Sequence, residues 1–394
     1  MWPKVRFETC EWERSEDLLS LISKTQRRKI TSTYKAAVPA HISDASVEIR
    51  SDVASRAAEA CMAITRFDQA QSNKEYSIPA LMLRSESSSS SQIERLTSSV
   101  RNVALAEFSD KAPGNARLIA GNVSAMREAL SQKGSIGIDS IGRIHDTLME
   151  GTDESLGIRR VQVWIGGTPY SPHGAAFVPP HATRVQGLLE DLVAFGERDD
   201  VLPLVKAAIF HAQFETIHPF TDGNGRTGRA LLHRMLSRDE LLLHSMLPIS
   251  AGLLHDAGQY IDALSLYHEG QIEPIVTRIT EALELAVVIG FRISTEVDEV
   301  LEGWKAQTAE RKGSAAHRLP ALLVEYPVVN TDVVAEKLDI TDRAARSLVE
   351  KACDRGILQK MGNARRGAFY QASDIIKILE EASSIEGIKR MALR

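Results

Sequence analysis

Cysteine is scarce in this chain of 394 residues: the 3 present, Cys10, Cys61 and Cys353, lie far apart and show none of the C-x-x-C spacing of a zinc site or a redox motif. That excludes a disulfide-stapled scaffold and fits a reducing compartment. No apolar run approaches the roughly 18 residues of a membrane-spanning helix. The amino terminus, Met1-Trp2-Pro3-Lys4-Val5-Arg6-Phe7-Glu8, lacks the apolar segment of a secretory signal. The expected location is therefore cytoplasmic. Charge of one sign is also missing: the net charge of −5 is mild, which excludes a basic groove running the length of the molecule. Aromatic residues make up 5%, yet 43% hydrophobic and 25% charged residues are the proportions of a globular protein. The length allows two or three domains at roughly 100–200 residues each.

Along the chain, Ala54, Ala57, Ala58, Cys61, Met62 and Ile64 recur at helical spacing, so the amino-terminal part is expected to be helical and packed. The run Ser87 to Ser91 breaks the pattern, and helical spacing resumes at Ile93, Leu96, Val100 and Val103. Taken alone, a serine tract reads as a flexible linker. Long helical stretches follow at Leu118 to Leu130, Gly187 to Phe195, Leu204 to Ile217 and Gly228 to Leu236. Val161-Gln162-Val163-Trp164-Ile165 reads as a strand, and with Gly166-Gly167 and the return to Phe177 it predicts a hairpin set in a helical domain. An amphipathic stretch near 272–311 leads to a linker at Lys312-Gly313-Ser314. Helices are then expected at Leu319–Tyr326, Thr331–Leu338 and Thr341–Arg355, with two strands around Gly362-Asn363, the order of a winged helix-turn-helix.

The chemistry concentrates in His218-Pro219-Phe220-Thr221-Asp222-Gly223-Asn224-Gly225-Arg226-Thr227-Gly228-Arg229. One helix ends at Ile217, a glycine-rich turn follows, and a second helix starts near Arg226. Turn and helix start together form an anion site, because successive N–H groups point into the concavity and the helix dipole favours negative charge there. Arg226 and Arg229, one turn apart, add donors suited to phosphate oxygens, so a polyphosphate fits better than a single anion. Asp222 is a natural magnesium ligand beside phosphates. His218 supplies a side chain whose unperturbed pKa suits proton abstraction near neutrality. The bland alternative, a histidine at a helix end and a glycine cap, leaves the aspartate and the two arginines unexplained. A rival chemical reading takes His211, Glu215 and His218, on one helix face, as metal ligands. Glu215-Thr216-Ile217-His218 makes an E-x-x-H, but a di-iron bundle needs a second one and the sequence has none, which leaves His211 and Glu215 as scaffold.

The string resembles the Fic family signature, H-x-F-x-[DE]-G-N-G-R-x-x-R, at every specified position. The resemblance implies that His218 deprotonates a target hydroxyl, that Asp222 holds Mg2+, that Gly223, Asn224, Gly225 and Arg226 hold the α- and β-phosphates of ATP, and that Arg229 grips the γ-phosphate. Phe220 would pin the loop to the core. Val163, Trp164, Ile165 and Gly166, with Ser171-Pro172-His173-Gly174, look like the family's flap, against which a target segment is held by strand addition. Self-inhibited members carry [ST]-x-x-x-E-[GN], and Ser90-Ser91-Gln92-Ile93-Glu94 matches all but the last position, where Arg95 stands. Glu94 would pair with Arg229 and displace the γ-phosphate.

The fold class expected from this resemblance is mainly α: a Fic helical fold with a β-hairpin flap, an N-terminal helical extension and a C-terminal winged helix-turn-helix domain. The expected boundaries are residues 1–84 for the helical extension, 85–108 for the inhibitory segment, 109–311 for the catalytic domain and 312–394 for the winged helix. The implied reaction is transfer of AMP from Mg-ATP to a Ser, Thr or Tyr hydroxyl of a target protein, self-inhibited by Glu94. Two other readings stay open: removal of AMP with Glu94 activating water, and a DNA-binding regulator whose Fic domain senses nucleotide. His218 is essential to the first, Glu94 to the second, and the segment 355–371 to the third. In that segment Arg355, Lys360, Arg365 and Arg366 stand without an acid, which makes the wing a DNA contact candidate, although Asp342, Glu350 and Asp354 mix signs on the preceding helix. A homodimer is compatible with the sequence, and no membrane contact is expected.

Overall fold

The computed structural model describes residues 2–13, 23–28, 30–109, 112–307, 311–362 and 367–393. Its elements are β1 (Arg6–Glu11), α1 (Lys24–Arg27), β2 (Thr33–Val38), α2 (Ser51–Gln71), α3 (Ile78–Ile93), α4 (Val100–Ala106), α5 (Gly114–Ser131), α6 (Ile138–Met149), α7 (Ala182–Gly196), α8 (Pro203–Ile217), α9 (Asn224–Arg238), α10 (Ile249–His255), α11 (Ala257–His268) and α12 (Glu273–Ala306), then α13 (Ala315–Glu325), β3 (Val328–Val329), α14 (Thr331–Leu338), α15 (Asp342–Asp354), β4 (Gln359–Met361), β5 (Phe369–Gln371), α16 (Ser373–Ser383) and α17 (Ile385–Leu393). The protein is mainly helical. It divides into two compact units, the first formed by Met1–Ala58, Ser131–Arg238 and Gly258–Arg278, the second by Glu59–Leu130, Asp239–Ala257 and Ile279–Arg394.

The first unit is organised around α8. Leu204, Val205, Ala207, Ala208, Ile209, Phe210, Ala212, Phe214 and Ile217 bury every face of this helix, the pattern of a helix wrapped by others rather than laid on a surface. Helices α7 and α9 pack on it, and α6 packs on α9. Pro203 starts α8 at a position where its missing N–H is no loss. The first strands correct the expectation of helix throughout the amino-terminal part: β1 and β2 form an antiparallel ribbon, with Arg6 opposite Val38 and Glu11 opposite Thr33. In Thr33-Tyr34-Lys35-Ala36, Tyr34 and Ala36 are buried while Thr33 and Lys35 are exposed, a period-2 pattern too short to register beside the long helical run at 54–67. That run does form a helix, α2.

In the second unit α3 is the inner element, packed by α4, α10, α13 and α16. The serine run lies inside it. Ser87, Ser88, Ser89, Ser90 and Ser91 are all buried in a continuous helix, so the linker reading of this tract fails. Tertiary packing overrides the weak helix propensity of serine. Helical structure does not resume at Ile93 as the spacing suggested; α3 ends there and α4 begins at Val100.

The end of α3 is a Schellman motif: the Leu96 amide donates to the Ser91 carbonyl at 2.9 Å and the Arg95 amide to the Gln92 carbonyl at 2.9 Å. Arg95 takes the left-handed conformation, φ 63, that this motif requires and that glycine or asparagine adopts more readily. The exposed Arg95 thus occupies the backbone geometry for which the family pattern places Gly or Asn. Relief of that strain, less the extra freedom of glycine in the unfolded chain, should make Arg95→Gly more stable by about 0.5–1 kcal/mol. A denaturant midpoint that falls in this variant would show instead that the Arg95 side chain contributes more than its backbone strain removes.

The carboxy-terminal elements run α13, β3, α14, α15, β4, β5, with sheet order β3-β5-β4. Strand β3 is an addition to the two strands expected. Ser314 caps α13 by accepting from the His317 amide at 3.2 Å, directly after the turn at Gly313, φ 82. Lys360 lies on β4 and Arg355 caps α15, whereas Asn363, Arg365 and Arg366 fall outside the described residues.

Candidate active site

His218 sits where α8 must stop. Its φ of 52 and ψ of 63 turn the chain sharply, its amide donates to the Phe214 carbonyl at 2.9 Å, and Pro219 cannot continue the helix. The ring Nδ1 lies 3.3 Å from the Glu215 carbonyl. A carbonyl accepts only, so this contact places a ring proton on Nδ1, and in the neutral ring Nε2 is then the basic nitrogen.

The loop beyond is locked from three sides. Phe220 is buried, stacked on His145 with ring centres 3.7 Å apart, and tilted against Phe214 at 6.4 Å. Asn224 returns its side chain to Phe220, accepting from its amide and donating to its carbonyl, both at 2.9 Å. The carboxamide is thus spent on closing the loop. Gly223 has φ 75, and a Cβ there would come within 2.4 Å of Met149 Cε and 2.9 Å of Leu148 Cδ2, so a larger residue would be strained in its backbone and would have to displace side chains of α6.

Helix α9 opens at Asn224. The Thr227 amide bonds back to the Gly223 carbonyl at 2.9 Å, so Asn224, Gly225 and Arg226 form the first turn of the helix directly after the glycine turn. Arg226 donates to Asp222 at 3.1 Å, and the Asp222 side chain is 54% exposed. Arg229 is buried, at 2% exposure. It lies on α9 beside Gly228, whose missing Cβ lets the helix approach α8: an added atom would lie 2.4 Å from Glu215 and 3.3 Å from His211.

The metal-ligand reading of His211, Glu215 and His218 is overturned by their contacts. Nδ1 of His211 bonds the Gly228 carbonyl at 3.1 Å and Nε2 meets the Tyr260 hydroxyl at 2.8 Å, so both ring nitrogens are used. Burial, aided by the charge of Arg229, pushes the His211 pKa down to about 4 and keeps the ring neutral. Among the described residues no group of three or more His, Cys, Asp or Glu side chains could hold a metal ion.

The hairpin expected at 161–178 is less regular than a strand pair. Ile165 and Phe177 form an isolated antiparallel bridge, in which the Ile165 amide donates to Phe177 and the Ala176 amide to Ile165, both at 2.8 Å. The run Val161 to Ile165 is otherwise not a strand, because its polar ties go elsewhere: Gln162 donates to Pro179 at 2.9 Å and Trp164 to Thr168 at 2.7 Å. Gly166 and Gly167 turn the chain at φ 73 and 76. The ribbon supports this segment. Trp12 packs edge-on against Trp164 at 5.7 Å, and the Tyr34 hydroxyl donates to Gln162 at 3.0 Å.

One residue escaped the sequence reading. Arg159 is buried and donates to the carbonyls of His218 at 2.8 Å, Val161 at 3.0 Å and Pro180 at 2.6 Å, with Ile217 at 3.4 Å. Its own amide donates to Pro219 at 2.9 Å. Burial pushes its pKa down to about 10. An arginine among Gly157-Ile158-Arg159-Arg160 carries no local signal, since its partners are backbone carbonyls and all but Val161 lie 21 to 59 residues along the chain. His218, Asp222, Arg226, Arg229 and the flap all belong to the first unit, and Ser90 and the half-buried Glu94 to the second.

Residues 135–236 match the Fic/DOC family model. The chain is 28% identical over 194 residues to "Protein adenylyltransferase fic-1" of Caenorhabditis elegans, a match covering 47% of this chain and 35% of that protein. It is 30% identical over 158 residues to "Protein adenylyltransferase Fic" of Drosophila grimshawi, covering 40% of this chain and 30% of the relative. It thus spans about a third of the length of the curated relatives it matches. Its fold is similar to the crystal structure of a Fic family protein from Desulfovibrio desulfuricans G20, with a TM-score of 0.53 at 20% identity, over 83% of this chain and 97% of that one. A histidine held at the end of a buried helix, followed by the start of the next, thus lies within residues 135–236, the segment of this chain that matches the Fic/DOC family.

Proposed function

We propose that the protein is an adenylyltransferase that moves AMP from ATP to a hydroxyl of a target protein. The observation that carries this reading is the juxtaposition in one loop of the His218 imidazole, with a ring proton held on Nδ1 by the Glu215 carbonyl, and the N-terminus of α9. The names of the relatives support the same reaction class.

The attacking Ser, Thr or Tyr oxygen forms a bond to the α-phosphorus, the bond from that phosphorus to the bridging oxygen breaks, and pyrophosphate leaves. Nε2 of His218 takes the hydroxyl proton. The first-turn amides of α9 and Arg226 face the α- and β-phosphates, and Arg229 the γ-phosphate, so that charge is stabilised by donors already in place. Asp222 is suited to magnesium, because one half-exposed carboxylate is the donor set this ion takes when phosphate oxygens and water complete its shell. When bound, the ion would neutralise phosphate charge. The flap residues Val163, Trp164, Ile165 and Gly166 would align the target chain by main-chain pairing, with Gly166 the exposed turn at its tip.

Self-inhibition by Glu94 is part of the proposal. Its support is local: Ser90 and Glu94 lie one helical turn apart at the end of α3, and the Schellman turn at Arg95 gives Glu94 a fixed exit from the helix. The reaction class is tested by incubating the protein with magnesium, cell extract and ATP labelled at either the α- or the γ-phosphate. Label entering protein from the α position alone supports AMP transfer. Label entering from the γ position would replace it with phosphoryl transfer.

A further inference from the structure

We propose that Arg159 is a positioning residue that couples the flap to the general base. The inference rests on reading His218 as the base and 163–166 as the target-aligning flap. One buried guanidinium holds carbonyls on separate stretches of chain: Val161 at the entry to the flap, Pro180 at its exit, and Ile217 with His218 where α8 ends. Planar donors in a fixed fork define the relative placement of those carbonyls in a way that a lysine ammonium cannot.

The bond to His218 matters most, because this residue is in the left-handed region, a conformation that a non-glycine residue keeps only when its surroundings hold it. The 2.8 Å contact from Arg159 Nε to the His218 carbonyl fixes ψ from one side, and the Arg159 amide on the Pro219 carbonyl fixes the next peptide. The ring is held separately, through Nδ1 on Glu215. A target strand lying on the flap and the imidazole that must take its proton are therefore registered to each other through Arg159. Proton transfer requires donor and acceptor within hydrogen-bond reach, so a small misplacement is enough to slow it.

Arg159→Lys in the full chain keeps the charge and removes the fork, and Arg159→Gln serves as a second variant with fewer donors. The exchange of the Ile165 and Ala176 amides, which pair across the flap, and of the His218 amide is expected to speed up together, by tenfold or more, in whichever variant keeps the fold. With AMP transfer as readout, kcat should fall by roughly ten- to a hundredfold while KM and Kd for ATP stay within about twofold. Protection retained at all three amides, or lost in the flap alone, would overturn the coupling. So would an unchanged kcat. A parent protein that transfers no AMP would defeat the functional reading, and the exchange result would still decide the coupling.

Discussion

His218→Ala is expected to lower AMP transfer by at least about a hundredfold, the contribution typical of a positioned general base, with ATP affinity held within a few-fold. The separation follows from the geometry. The groups proposed to face the phosphates lie on α9, starting at Asn224, and their loop is closed by the Asn224 carboxamide on Phe220 and by the Phe220 stack on His145. None of those ties involves the His218 ring. The backbone at 218 must stay left-handed, a strain that alanine shares with histidine, and Arg159 still binds the carbonyl. His218→Asn is a useful companion, since asparagine tolerates this conformation but offers no base. Transfer from α-labelled ATP to a known acceptor, beside calorimetric titration with ATP, measures both quantities. Transfer at the parent rate would remove His218 from the role of base.

Glu94→Gly is expected to act in the opposite direction and raise AMP transfer by roughly 5- to 150-fold, the span of a coupling of 1–3 kcal/mol. If Glu94 competes with the γ-phosphate for Arg229, removing the carboxylate returns that arginine to the nucleotide. Adding Arg229→Ala should then erase most of the gain, because the anchor itself is gone. The two changes are informative together: a gain that survives loss of Arg229 would mean that Glu94 acts elsewhere. Equal transfer by parent and Glu94→Gly at saturating ATP would end the inhibitory assignment and return α3 to a structural role.

The helices α5, α7, α8 and α9 were legible in the sequence because long apolar periodicity is set by burial, and each contains the run that predicted it. The loop from His218 to Arg229 was legible for a related reason. Glycine at 223 answers to a φ of 75, and glycine at 228 to the close approach of α9 to the Glu215 and Phe214 side chains, so composition there follows geometry. What stayed hidden depends on distant partners. The ribbon β1–β2 is held by a Trp12 pairing and by the Ala37 amide on the Val178 carbonyl, more than a hundred residues on. The irregular course of 161–165 comes from side-chain ties to Pro179 and Thr168 that no local pattern encodes. Arg159 resembled any surface arginine until its carbonyl partners were in view.

The serine run carries a different lesson. Polar ties hold α3 in the second unit, yet they come from its neighbours in sequence. Arg84 reaches Glu107 at 2.7 Å and the Glu325 carbonyl at 2.7 Å, Glu86 accepts from the Ser250 amide at 2.8 Å, Ser85 donates to Ala382 at 3.2 Å, and Gln92 donates to Ser383 at 2.7 Å. The hydroxyls of Ser87, Ser88, Ser89 and Ser91 are buried with no hydrogen-bond partner among the described residues. What those positions require is smallness, since the helix is enclosed by α4, α10, α13 and α16. Alanine would meet that requirement as well, so those four positions, unlike Ser90, are free to drift in composition. The fixed letters are Arg84, Glu86 and Gln92, which no scan for low complexity would mark.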